Sequence, residues 1–305
     1  MVWMKRIFLF MMVNILVMLS VTVIAKLLGV DRMAMAGGTL NLGSLAIYSL
    51  VWGMVGSFVS LALSRIMAKW MMGVQIIDPS TSNHELRDLV STVHRLADQA
   101  GIPHPEVGIY QGADVNAFAT GPTKARSLVA VSSGLLNVMT KQERDGVLAH
   151  EVAHIANGDM VTMTLVQGVV NAFVLFFARI VGWAASQALK SDRDERGSPM
   201  VEFAVTMVCQ ILFSILGMMV VAAFSRYREF RADEGSAKLA GKQNMIAALQ
   251  RLNALHGRPT ESQHPDGDRA LAAFKISGGK MGGFMALIST HPPLEDRIAR
   301  LQGRM

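Results

Sequence analysis

His150, Glu151 and His154 form the pattern His-Glu-x-x-His near the end of the stretch Thr140–Asp159, TKQERDGVLAHEVAHIANGD. Residues four apart lie one above the other on the same face of an α-helix. Two imidazoles placed that way can grip a single Zn²⁺ at about 2.0–2.1 Å per bond. A glutamate beside them can take a proton from water at such a metal. The pattern points to metal-assisted hydrolysis, provided that it lies on a helix. Thr140 with Glu143 has the S/T-x-x-E form of a capping box, which predicts a helix starting at Lys141. Gly158, just past Asn157, predicts its end, and Leu148, Val152 and Ile155 form an apolar stripe that would bury its back. The alternative is a chance match on an ordinary amphipathic helix, because the pentapeptide alone is a modest signal.

A catalytic zinc needs three protein ligands and an open position, and His₂Glu is one established set. The lone Cys209 excludes both a cysteine-based site and an intrachain disulfide. The best downstream candidate is Glu229 in Arg228-Glu229-Phe230-Arg231-Ala232-Asp233. Asp233, one turn later on the same face, could accept the N–H of a ligating imidazole and fix its tautomer. Against this stands the ordinary reading of such a run as a solvated charged face. His84, His94 and His104 have no partner at metal-ligand spacing and are expected to be surface or packing histidines. His291, in Ser289-Thr290-His291-Pro292-Pro293, has two readings. It is a turn residue before a terminal helix, or a hydrogen-bond donor aimed by that turn at a developing oxyanion.

The elements that must position these groups lie in an unusual chain. Of 305 residues, 51% are hydrophobic, only 17% are charged and 22 are Met, which points to a membrane protein. The net charge of +6 comes without a basic cluster interleaved with aromatics, so a nucleic-acid partner is excluded. Apolar runs at about 7–30 and 40–63 predict an N-terminal transmembrane hairpin within residues 1–64. The first run is too long for the h-region of a signal peptide, so an uncleaved anchor is expected. Residues 65–160 turn soluble in character, with a helix over 84–100 capped by Asn83, β-like runs at 106–110, 116–120 and 127–132, and then the motif helix. Runs at about 161–189 and 200–224 predict a second transmembrane hairpin within 161–224. The last part, 225–305, is again soluble: a helix ended by Gly241, another over 244–256, a Gly-rich stretch, and a short helix after the two prolines.

HEVAHIANGDM, the NAFATG run at 116–121, SRYREFRAD and STHPP together resemble the HtpX family of bacterial membrane-bound zinc metalloproteases, relatives of the zinc endoproteases that trim prenylated proteins. The resemblance covers nearly the whole chain. It implies a mainly α fold with a small β-sheet, a multi-span α-helical membrane protein carrying a gluzincin-like zinc protease domain. It implies one Zn²⁺ held by His150, His154 and Glu229, with Asp233 as the partner aspartate and Glu151 as the catalytic base. Damaged or misfolded membrane proteins are the substrates it implies, in the quality control of the bacterial inner membrane.

His154 precedes the third apolar run by a few residues and Glu229 follows the fourth by a few, so both should emerge on one membrane face. Lys5, Arg6, Arg65, Lys69, Arg226, Arg228 and Arg231 fall on that side, and the positive-inside rule makes it cytoplasmic. Two other readings compete. A non-catalytic adaptor on a degenerate protease fold would have lost the base or a ligand, and neither is lost. An intramembrane protease would bury Lys141, Glu143, Arg144 and Asp145 of the motif helix in lipid, which is too costly. A surface-acting metalloprotease, with the bilayer and polypeptides as its partners, is the expectation.

Overall fold

The computed structural model describes residues 41–189, 198–256 and 287–304, together with Leu19, Val23 and Leu27. The expected span at 7–30 lies almost wholly outside the described residues. The chain divides into two compact units, one made of Met1–Leu61 and Met163–Val221, the other of Ala62–Thr162 and Ala222–Met305.

The first unit consists of apolar helix. Its described residues belong to α1 (Leu42–Met71), α5 (Asp159–Ala188) and the first part of α6 (Pro199–Ser236). The runs at 40–63, 161–189 and 200–224 lie on these three helices, each long and apolar enough to cross a membrane. In lipid there is no hydrophobic force between helices, so close backbone approach and dispersion must hold them together. Gly53 of α1 and Gly168 of α5 provide that approach. A Cβ on Gly53 would overlap the Gly168 carbonyl oxygen and come within 2.6 Å of the Ala172 nitrogen.

The second unit carries a four-stranded sheet of β1 (Gln75–Ile76), β2 (Glu106–Tyr110), β3 (Ala117–Thr120) and β4 (Leu128–Ser132), in the order β1-β2-β4-β3. β2 and β4 run parallel, and the two outer strands are antiparallel to their neighbours. The strand β1 was not foreseen, since a two-residue strand has no periodicity to read. β4, LVAVS, is buried along its whole length, as its β-branched and apolar composition demands. β3 is an edge strand.

Helices cover this sheet. Asn83 accepts hydrogen bonds from the amides of Glu85 and Leu86 at 3.0 and 3.2 Å and so starts α2 (His84–Gln99), which buries Leu89, Val93 and Leu96. A short α3 (Ser133–Val138) leads to α4 (Lys141–Asn157), the motif helix. Its capping box is closed on both sides: the Glu143 amide donates to Thr140 at 3.4 Å, and the Thr140 amide to Glu143 at 2.8 Å. Gly158 ends the helix with φ 70°, a left-handed conformation that glycine adopts without penalty. Leu148, Val152 and Ile155 are buried in the main core, as their spacing requires.

The second half of α6 differs from expectation. The helix does not stop at Gly241. It passes through a π turn at Ala237–Gly241 and continues as α7 (Lys242–His256). Gly241, at φ 94°, tolerates the widened turn. α7 then keeps Met245, Ala248, Leu249 and Leu252 on one buried stripe. After Pro292-Pro293 the chain ends in α8 (Leu294–Gln302), closed by Gly303 at φ 73°.

α4 and α7 touch at Gly146, where an added Cβ would lie 2.6 Å from the Asn244 carbonyl oxygen and 3.1 Å from the Met245 Cα. Ser236 donates to the Gly146 carbonyl across the same contact, at 2.8 Å. For Gly146→Ala, helix propensity predicts a gain of up to about 1 kcal/mol. Overpacking against backbone costs about 1–3 kcal/mol and should win. We expect a lower melting temperature in detergent; an unchanged or higher one would show that the two helices can separate freely.

Candidate metal centre

Helix α4 places His150 and His154 one turn apart on a buried face, at 2% and 9% exposure. Their rings meet edge to face, with the two Nε2 atoms only 3.1 Å apart. Glu229, on α6 and fully buried, completes the group: Oε2 lies 3.3 Å from Nε2 of His150 and Oε1 3.3 Å from Nε2 of His154. The three residues offer ligand atoms that all lie within 4.8 Å of one another. The sequence-predicted set is thus brought together in one place.

The opposite nitrogens explain the orientation of the rings. Nδ1 of His154 donates to Asp159 at 2.6 Å. Nδ1 of His150 lies 3.0 Å from Asp233 Oδ1, within reach though out of line for a well-formed hydrogen bond. Asp233 is fixed in turn by Arg297 of α8, which donates through Nε at 2.8 Å and Nη2 at 2.6 Å. With a proton on each Nδ1, both Nε2 atoms present lone pairs to the same point. Two lone pairs at that distance repel unless a shared proton or a metal cation stands between them.

The charges agree. Glu151, Asp159, Glu229 and Asp233 are all buried, and Arg297 is the fully buried cation among the described residues. Burial would lower the basicity of His154, but Glu229 and Asp159 overcome it and raise the imidazole to about 9. Burial likewise opposes the ionised Glu229, yet His291, His154 and His150 hold its carboxyl well below the usual carboxylate range. Asp233 is held near 2, against burial, by Arg297. Both Glu229 oxygens are buried without a properly aligned hydrogen-bond donor. An electron-rich pocket with orphaned carboxylate oxygens and converging imidazole nitrogens suits a divalent metal, and the nitrogen-rich donor set suits zinc.

Glu151 is buried beside the pair, and burial pushes its carboxyl up. The backbone of Ala119 donates to it, which ties the group to the edge strand β3. Next to that strand, Asn116 donates to the Tyr110 hydroxyl at 2.9 Å, and burial pushes that phenol up to about 12. His291 also belongs to the site, with Nδ1 2.9 Å from Glu229 Oε2. Its turn is secured by Ser289, which donates to the His291 carbonyl, and by Arg226, which donates to the Ser289 carbonyl at 2.7 Å. By contrast His94 and His104 stack on each other, ring centroids 4.2 Å apart, with His104 against the exposed Asp98.

Sequence reasoning missed two members of this constellation. Asp159 stood at the edge of the quoted motif with no role assigned, although its position just past the helix end could have suggested one. Arg297 was missed because LEDRIARL reads as an ordinary amphipathic helix; its place on the stripe of Leu294, Ile298 and Leu301 was the one signal that could have marked it as buried.

Apolar spans, a small mixed sheet and a His-Glu-x-x-His helix facing a distant glutamate define a membrane metalloprotease. Residues 83–305 match peptidase family M48. The chain belongs to that family and, within it, to the HtpX proteases. It is 50% identical over 307 residues to the protease HtpX homolog of Bacillus subtilis, spanning 98% of this chain and 99% of that one. It is 48% identical over 300 residues to protease HtpX of Thioalkalivibrio sulfidiphilus, with the same two coverages. The crystal structure of S. mikatae Ste24p superposes with a TM-score of 0.63 over 98% of this chain and 67% of that one; at 17% identity the likeness is one of fold.

If Asp159 and Asp233 orient the imidazoles, removing one should loosen the metal without removing a ligand. Asp159→Asn should weaken zinc retention about 10–100-fold in competition with a chelator. Asp98→Asn, at the exposed His104 pair, should leave retention unchanged. Equal retention in all three proteins would refute the role of Asp159.

Proposed function

We propose that the chain is a zinc endopeptidase of the bacterial inner (cytoplasmic) membrane that cuts membrane or misfolded proteins on the cytoplasmic side. The observation that carries this reading is the buried convergence of His150, His154 and Glu229, with Glu151 beside them and the edge strand β3 next to Glu151. His150, His154 and Glu229 would hold one Zn²⁺. Zinc in such a site polarises the scissile carbonyl and makes water nucleophilic near neutral pH. Glu151 takes the proton of the attacking water and passes it to the departing amine. The outer edge of β3, Ala117–Thr120, is where an extended polypeptide would add as a further strand, held by backbone hydrogen bonds that any sequence can make. Sequence-tolerant capture of extended chain suits unfolded substrates.

Glu151→Gln keeps the shape of the residue and removes its basicity. The variant should keep its zinc and lose nearly all cleavage of an unfolded probe such as casein, metal content and turnover being measured on one preparation. Near-normal turnover with zinc bound would sink the assignment. Membrane proteomes from cells with the active protein and with this variant should then differ in proteins that accumulate only with the variant.

The orientation rests on the basic residues Arg65, Lys69, Arg226, Arg228 and Arg231, which flank the apolar runs on the side of the site. In a Cys209→Ser background, a cysteine at position 82 should react with a membrane-impermeant reagent only from the cytoplasm. One at position 198, at the start of α6, should react only from the other side. Labelling of both from the same side would refute the arrangement.

A further inference from the structure

Behind the metal centre, in the second unit, lies a half-open cavity of about 270 Å³. Its floor is the Arg297–Asp233 pair, and its walls include Phe230, Lys238, Lys242 and Arg300. The proposed reaction uses none of this space.

The charges of the cavity do not balance. Arg297 is bound by Asp233, and Arg300 pairs with Glu234 at 3.1 Å while its guanidinium also covers the Phe230 ring, 4.8 Å from the centroid. Lys238 and Lys242 have no ion-pair partner among the described residues. Among the described residues four cations and two carboxylates line this concave surface, with Glu229 a further 3.7 Å from Arg297, and the two lysines are the cations left without an ion pair. The two lysines stand four residues apart along the π turn, and like charges at that spacing destabilise a helix. π turns inside long helices are frequent at functional sites.

Size decides among anions. Pockets for drug-sized ligands measure about 300–1,000 Å³, and this cavity, just under that range, suits a small group. A phosphate group carries about −1.5 to −2 charge near neutral pH together with three strong acceptor oxygens. That charge matches the two unpaired lysines, and ammonium and guanidinium groups are the side chains that pair with phosphate oxygens.

We propose that Lys238, Lys242 and Arg300 form a binding site for a phosphate monoester group, backed by the Arg297–Asp233 pair. The group comes either free in solution or on the headgroup of an anionic lipid. Arg297 and Asp233 then connect the cavity to His150, which Asp233 approaches to 3.0 Å on its far side.

The test uses the full-length, zinc-loaded protein and the double variant Lys238→Gln/Lys242→Gln. Inorganic phosphate is titrated into detergent-solubilised protein and followed by ³¹P line broadening and by melting temperature. In a second arm, nanodiscs of phosphatidylcholine with and without phosphatidic acid are compared for lipid retained on the protein. In phosphate-free buffer the double variant, relieved of its lysine repulsion, should melt at or above the wild type. Wild type should bind at least one of the two probes at least 10-fold more tightly than the variant, with equal zinc content in both. Binding of phosphate alone assigns the free anion, and binding of phosphatidic acid alone assigns the headgroup. Equal responses of the two proteins, or binding of neither probe, would overturn the site.

Discussion

Four buried carboxylates and two facing imidazoles cannot coexist without positive charge among them, and the architecture of the second unit follows from that constraint. Burying an ion is costly unless it is paired and hydrogen-bonded. Glu229 and Asp233 face the His150–His154 pair from α6, and Asp159 from just past the end of α4. Arg297 supplies one unit of compensation, and the Nε2 atoms with Glu229 form a group that could hold a metal cation to supply two more. Metal affinity and folding are therefore linked in this unit, because the ligand geometry is assembled only when α4, α6 and α8 pack.

Local devices make that assembly reproducible. The capping box fixes where α4 begins, and Gly158 fixes where it stops, so that Asp159 falls against His154. Gly146 lets α7 approach to backbone contact, and Ser236 adds a hydrogen bond at that crossing. The π turn allows α6 and α7 to satisfy separate demands. α6 must keep Glu229 and Asp233 on the metal face, while α7 must keep Met245, Leu249 and Leu252 in the core. A regular helix of that length would have to meet both with one phase, and the widened turn resets it.

What was legible in the sequence was local. The helix over Lys141–Asn157, its two caps and its buried stripe follow from chemistry within one short stretch, and the structure shows each of them. The three longer strands were legible as short β-like runs separated by Gly, Asp and Pro, whereas Gln75–Ile76 is too short to leave a pattern. Asp233 could be placed toward a histidine because it shares a helix face with Glu229. The expectation for Gly241 failed for a physical reason: glycine allows a helix to end but does not compel it, and buried packing on both sides favoured continuation. His291, by its sequence a turn residue or a hydrogen-bond donor aimed at a developing oxyanion, lies in the site with Nδ1 2.9 Å from a Glu229 oxygen.

Arg297 shows where sequence reading of this kind stops. It falls on the stripe of Leu294, Ile298 and Leu301, but its helix has the charged, amphipathic look of a surface element and nothing local names the partner of a buried arginine. Its role is set by Asp233, 64 positions away, which offers both oxygens to a planar fork. That geometry suits arginine: a lysine ammonium is a point donor and cannot span two carboxylate oxygens in one plane. Removing one partner from a buried pair of this type costs about 3–5 kcal/mol, because the survivor is left as an uncompensated charge. Here that survivor would be Asp233, the group lying against His150, so the loss would reach the metal site directly. The C-terminal helix is thus part of the centre it closes. A chain lacking α8 would keep the motif, the two histidines and Glu229, yet leave the orienting carboxylate of His150 without its counter-charge.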